Sequence, residues 1–119
     1  MLMIENVPAL RLVDVRDVGG LPKERVLLVA DGPVDLMRYV VLDARAVSGS
    51  EIDDLNRYAF WFPRRRIQRG EFVRLFSRAG ANKITAARYG RSPTRFHDFY
   101  WGKTSPVWGS KANAVVLVE

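Results

Sequence analysis

The chain has 119 residues, 48% of them hydrophobic and 27% charged, which suits one globular domain with its own core and makes disorder a poor reading for most of its length. It contains no cysteine, so disulfides, thiol nucleophiles and thiolate metal sites are excluded. The net charge of +6 is unevenly spread: residues 1–56 carry six basic and ten acidic side chains, whereas residues 57–103 carry twelve basic and two acidic ones.

The opening stretch from Met1 to Pro8 has neither a basic n-region nor an apolar run of signal-peptide length. No segment approaches the roughly 20 apolar residues of a membrane helix. The expectation is a cytoplasmic protein without membrane insertion. Leu10-Arg-Leu-Val-Asp-Val-Arg alternates apolar and polar residues with period two, the pattern of a half-buried strand. After the turn Gly19-Gly-Leu-Pro, Glu24-Arg-Val-Leu-Leu-Val-Ala reads as a second, more buried strand, closed by Asp31-Gly-Pro. Met37-Arg-Tyr-Val-Val-Leu-Asp is a third, rich in β-branched and aromatic residues. Ser48 to Tyr58 carries a helix-start signature, with Ser50 placed to cap and Asp53 three residues on, and reads equally as a one-turn helix or an irregular loop. Tyr58-Ala-Phe-Trp-Phe returns to strand character and stops at Pro63. In Glu71-Phe-Val-Arg-Leu-Phe-Ser, Phe72, Arg74 and Phe76 share one face and Val73 and Leu75 the other. Ala79 to His97 reads as a long basic connection, and the dense aromatic segment Phe99–Trp108 leads into a final apolar strand from Ala114 to Val118. Short strands separated by turns, with almost no helix, describe one all-β domain, an antiparallel sandwich or a small barrel.

Three blocks in order carry a more specific likeness. Glu24-Arg-Val-Leu-Leu with Val34-Asp-Leu-Met-Arg-Tyr-Val-Val-Leu-Asp is the first. Phe60-Trp-Phe-Pro with Ile67-Gln-Arg-Gly-Glu-Phe-Val-Arg-Leu is the second, and Phe99-Tyr-Trp-Gly, Pro106-Val-Trp and Ala114-Val-Val-Leu form the third. Together, over about residues 8–118, they resemble the lamin-tail domain family in its bacterial single-domain form. The resemblance implies an immunoglobulin-like antiparallel β-sandwich of about seven to nine short strands, spanning residues 1–119 as a single domain. It also implies a binding or architectural module and not a catalyst. Family members are linked to nucleic acid, chromatin, membranes and other proteins, so the likeness does not choose a partner. Where the family tends to carry Gly-Asp before the last strand, this chain has Ala112-Asn113, which puts a metal role for that acid in doubt.

The sharpest candidate for function is the cluster Arg57, Arg64, Arg65, Arg66 and Arg69, extended by Arg74, Arg78, Lys83, Arg88, Arg91 and Arg95. In residues 57–103 arginine outnumbers lysine ten to two. Forked guanidinium donors bind phosphate bidentately, whereas a merely solvated face has no need of them. The competing readings are that these arginines are solvated, that they pair with acids of residues 1–56 on folding, or that they meet an acidic protein. Most of the aromatics belong to a core. In Phe60-Trp61-Phe62, however, strand alternation turns Trp61 opposite to its neighbours, where it would mark an exposed partner surface.

His97 beside Asp98 lacks a nucleophile and an oxyanion site, and reads as structural. Glu51, Asp53 and Asp54 lack the spacing of a cation loop, and Gly102-Lys103-Thr104 lacks the rest of a P-loop. The sequence therefore points to a non-catalytic binding module, with no cofactor, metal or catalytic residue. It would hold nucleic acid or another polyanion through an arginine-rich face. The alternative is a protein–protein or structural module, a homo-oligomer or accessory subunit, that docks through Trp61 or strand edges.

Overall fold

A computed structural model describes residues 2–5, 9–48, 51–109 and 113–119. The chain is nearly all β, with 56% of its residues in strands. Among the described residues eleven strands follow one another: β1 (Leu2–Glu5), β2 (Leu10–Arg16), β3 (Arg25–Ala30), β4 (Val34–Asp35), β5 (Val40–Ser48), β6 (Glu51–Trp61), β7 (Arg66–Ile67), β8 (Phe72–Phe76), β9 (Lys83–Tyr89), β10 (Ser92–Tyr100) and β11 (Asn113–Val118). They form a four-stranded sheet in the order β1-β11-β5-β6, a five-stranded sheet in the order β2-β3-β8-β10-β9, and a two-stranded ribbon of β4 with β7. No helix among the described residues is long and apolar enough to cross a membrane.

One apolar cluster joins the two large sheets. Leu10, Leu12, Val26, Leu28, Val73, Leu75 and Phe99 come from the five-stranded sheet, and Val41, Val115 and Leu117 from the other. The aromatics run through it edge to face: Phe60 lies 5.1 Å from Phe62, and Phe62 lies 5.2 Å from Phe99. Trp108 is fully buried and stands 5.9 Å from Trp101. Rings at such angles fill volume and add edge-to-face attraction, so the segment Phe99–Trp108 anchors the core as its composition suggests.

The structure corrects the sequence reading in four places. The sheets are mixed and not wholly antiparallel, since β1 pairs with β11 and β8 with β10 in parallel. The third strand begins at Val40, because Asp35 accepts the Met37 amide at 3.2 Å and turns Leu36–Arg38 into a single 3-10 turn. Its hydroxyl-free carboxylate cap wins locally over the β-propensity of Met37 to Tyr39. In place of a one-turn helix or loop, Glu51 to Tyr58 extends strand β6, paired with β5 from Ala46↔Ile52 to Val40↔Trp61. The proposed cap Ser50 lies outside the described residues, as does Ala112. Finally, Ala79 to His97 is no loop: it contains β9 and most of β10, paired from Ser92↔Tyr89 to Asp98↔Lys83. Gly90, with φ +63°, supplies the left-handed first position of a two-residue hairpin turn.

Candidate functional site

Strand pairing sorts the arginines into those that hold the fold together and those left facing water. Arg74 belongs to the fold. It grips Asp98 on the neighbouring strand with two hydrogen bonds, Nε to Oδ1 at 2.6 Å and Nη2 to Oδ2 at 2.8 Å. Its guanidinium also lies 4.5 Å above Phe96. Arg78 donates to the carbonyls of Pro22 at 3.0 Å and Ala79 at 2.9 Å and packs against the stacked rings of Phe76 and Tyr100. Arg65 is half-buried over Phe99 at 5.1 Å, and its Nη1 is buried without a hydrogen-bond partner among the described residues. These three give stacking and packing to the protein and have little left for a ligand. The triplet Arg64-Arg65-Arg66 is therefore not one face. Arg64 is exposed and leans 3.8 Å from Asp35, and Arg66 is exposed on the β4–β7 ribbon opposite Asp35. Arg57 lies on β6, where its side chain is outside the described ones.

Among the described residues, the Arg64–Asp35 contact is the one ion pair that joins an arginine of residues 57–95 to an acid of residues 1–56. Asp17 and Asp31 are instead taken by Arg25 and Arg11 of the same segment.

The remaining arginines come together at one end of the five-stranded sheet. β10 runs past the start of β8, because Phe96 pairs with Phe72 and residues 92–95 continue beyond it. The projecting half of the hairpin is tied to the turn before β8 by Thr94 Oγ1, which donates to the Gly70 carbonyl at 2.7 Å. In that turn Gly70 adopts φ +84°, and Glu71 Oε1 accepts the Gln68 amide at 2.8 Å. The closed turn leaves Arg69 at its exposed apex. Arg69 and Arg95 thus both line a groove of about 660 Å³, together with Glu71, Tyr89 and Ser92. Arg88 and Arg91 stand at the hairpin tip, where Arg88 Nη1 reaches the Arg91 carbonyl at 3.4 Å. Arg69, Arg88 and Arg91 have no ion pair among the described residues, and Arg95 has only a 3.9 Å contact with Glu71.

His97 and Asp98 are adjacent in sequence, yet strand alternation sends them to opposite faces. Asp98 meets Arg74, and His97 Nε2 sits 3.2 Å from Glu71 Oε1 with only 2% of its surface exposed. No group of three or more His, Cys, Asp or Glu side chains that could hold a metal ion occurs among the described residues.

A second surface lies on the outer face of the four-stranded sheet. Trp61 is 72% exposed while Phe62 beside it is buried. Across the sheet Trp61 pairs with Val40, which pairs with Val118, and the next rung is Ala59, Leu42 and Val116. Trp61, Val40, Val118, Ala59 and Leu42 border a groove of about 610 Å³ with Met37.

Sequence reasoning singled out every arginine of the cluster but missed Tyr89 and the hairpin that carries it. The signal was present as Gly90-Arg91, a Gly-X pair between two strand-like runs, the loop length and composition of a type II′ hairpin. It also passed over Glu24 as a functional group, the reason being that its partners lie far along the chain. Comparison with protein-family models, with curated proteins and with solved structures finds no match for this chain.

Proposed function

We propose that this protein is a non-catalytic binding module that holds nucleic acid or a similar polyanion on the arginine-rich end of its five-stranded sheet. The observation that carries this reading is the gathering of Arg69, Arg88, Arg91 and Arg95 around one hairpin with a single carboxylate, Glu71, in their midst. Unpaired guanidinium groups held on one surface repel one another, and an approaching phosphate chain relieves that repulsion and releases its counterions. Guanidinium forks also match phosphate geometry.

A lamin-tail-like, immunoglobulin-like sandwich remains the proposed family and topology. Several residues that carry the likeness, among them Glu24, Phe62, Leu75 and Trp108, are buried. They support a shared fold, while the exposed Arg88, Arg91 and Arg95 lie outside the matched blocks and speak for this chain's own ligand.

The test is fluorescence anisotropy with labelled nucleic acid, titrated from about 50 to 300 mM salt. Binding should weaken steeply with salt, and Arg69→Ala with Arg91→Ala should flatten the log–log slope by about one per lost contact. Absence of binding at the lowest salt would refute the reading. A second reading rests on the apolar outer face around Trp61, since a large exposed tryptophan on a flat apolar sheet face suits a protein contact. It predicts association that salt leaves unchanged and Trp61→Ser abolishes.

A further inference from the structure

We propose that the groove between the β9–β10 hairpin and the turn before β8 takes a nucleotide of a single-stranded nucleic acid, its base on Tyr89 and a flanking phosphate on Arg69. This rests on the polyanion reading above and gives it a ligand class. Charge alone does not separate a single strand from a duplex, because both present phosphates. The aromatic wall of the groove does.

Tyr89 is 46% exposed and lines the groove. Its ring is backed by Phe72 at 4.5 Å, and Phe72 is stacked on Phe96 at 5.2 Å with an interplanar angle of 22°. The far side of Phe96 is capped by the Arg74 guanidinium at 4.5 Å, itself clamped by Asp98. The succession Tyr89, Phe72, Phe96, Arg74 is a column of π faces fixed at its inner end by a doubly hydrogen-bonded ion pair. Its outer end is open to solvent. A base laid on that end extends the column, and little rotamer freedom is lost because the ring is already held. In a duplex the base faces are covered by their neighbours, so only a single strand or a flipped base can use it.

The polar walls suit the rest of a nucleotide. Arg69 lines the groove with Tyr89, and Ser92, which pairs with Tyr89 across the hairpin, and Gln68 offer hydrogen-bonding groups. Glu71, the one acid in the groove, is engaged by the Gln68 amide at 2.8 Å, His97 Nε2 at 3.2 Å and Arg95 at 3.9 Å. Its charge is thus shared among three donors and opposes a phosphate weakly. The volume of about 660 Å³ falls within the roughly 300–1,000 Å³ of small-molecule sites, room for one nucleotide unit and not for a helix.

The experiment compares a labelled oligothymidylate of about ten nucleotides with its duplex of equal length, using wild type and the variants Tyr89→Ala, Tyr89→Leu, Tyr89→Phe and Arg69→Ala. The single strand should bind about tenfold tighter than the duplex, and Tyr89→Ala should weaken it about 10- to 100-fold without changing the salt slope. Tyr89→Phe should retain binding. Tyr89→Leu keeps the apolar packing on Phe72 while removing the π face, so its loss of binding with an unchanged melting temperature separates stacking from folding. Arg69→Ala should lower the salt slope by about one. Equal binding of both forms, untouched by the Tyr89 variants, overturns the groove assignment and leaves the polyanion reading standing. Failure of both forms to bind at low salt overturns the two together. Competition by polyglutamate as strong as by the single strand overturns the assignment in favour of an acidic protein partner.

Discussion

Glu24 Oε1 accepts the backbone amide of Val107 at 2.6 Å, joining two positions 83 residues apart in the chain. The same oxygen takes the Ser77 hydroxyl at 2.5 Å and the Trp108 amide at 3.2 Å, while Oε2 takes the Gly19 amide at 2.8 Å. A single, fully buried side chain thus satisfies donors from three separate loops. Without it those donors would be buried and unpaired, each at a cost of about 1–3 kcal/mol.

Glu24→Ala is accordingly expected to destabilise the fold by at least about 3 kcal/mol, read as the shift in urea midpoint. Glu24→Gln should cost less, because its amide oxygen can still serve Val107, Trp108 and Ser77. Its NH2 group then confronts the Gly19 amide, donor against donor. An alanine variant as stable as wild type would show that this buried carboxyl is not the tie between the loops.

Asp43 gives a pH dependence of definite sign. Burial, and secondarily the nearby Glu24, push its pKa up from 3.8 to about 6, with Lys103 pulling in the other direction. The folded protein therefore keeps the Asp43 proton at pH values where the unfolded chain has released it. Stability falls as the pH rises from 3.8 to about 6 and stays lower above that. The ionised, buried form costs up to about 3 kcal/mol at neutral pH. Asp43→Asn should raise the melting temperature at about pH 8 and leave it nearly unchanged at about pH 4. A stabilisation equal at both values would contradict this account.

Arg74 and Arg69 should separate structure from binding. Arg74→Ala leaves Asp98, only 1% exposed, without its partner, and breaking a buried ion pair in this way costs about 3–5 kcal/mol. Arg69→Ala, at an exposed turn with no ion pair among the described residues, should change stability by no more than about 0.5 kcal/mol. It should nonetheless weaken polyanion binding. Thermal melts and salt titrations of the two variants test the division, and a stable Arg74→Ala protein would undo it.

Gly80 is required by what lies over it. A Cβ built there would meet the Tyr100 ring at 2.5 Å, a ring stacked on Phe76 at 5.2 Å with Arg78 packed against both. To yield, the ring must move together with Phe76 and Arg78. Gly80→Ala should cost about 1–3 kcal/mol, as overpacking does, whereas Gly32→Ala, with open space around its Cα, should be nearly neutral.

Period-two alternation made β2, β8 and the end of β6 legible, because alternating residues leave a local trace, and a short apolar run between turns did the same for β3. Alternation also placed Val73 and Leu75 on one face and turned Trp61 outward. Segments whose state depends on a distant partner left no such trace. Residues 51–57 are polar and look like a turn, yet they are strand because β5 pairs with them. Ala87 and Tyr89 read as loop, yet the first packs against and the second stacks on the outer apolar cluster of Leu27, Val29, Phe72 and Phe96.

The sequence by itself determined the all-β class, the core aromatics and the excess of arginine in residues 57–95, since composition and alternation are local properties. Only the tertiary structure decided which arginines are available. Arg65, Arg74 and Arg78 are adjacent in kind to Arg69, Arg88 and Arg91, and nothing in the order of residues tells them apart. They differ in what stands across the sheet. A ring or carboxylate on a neighbouring strand captures a guanidinium at the cost of its solvation, and beyond the end of the sheet there is no neighbouring strand to do so.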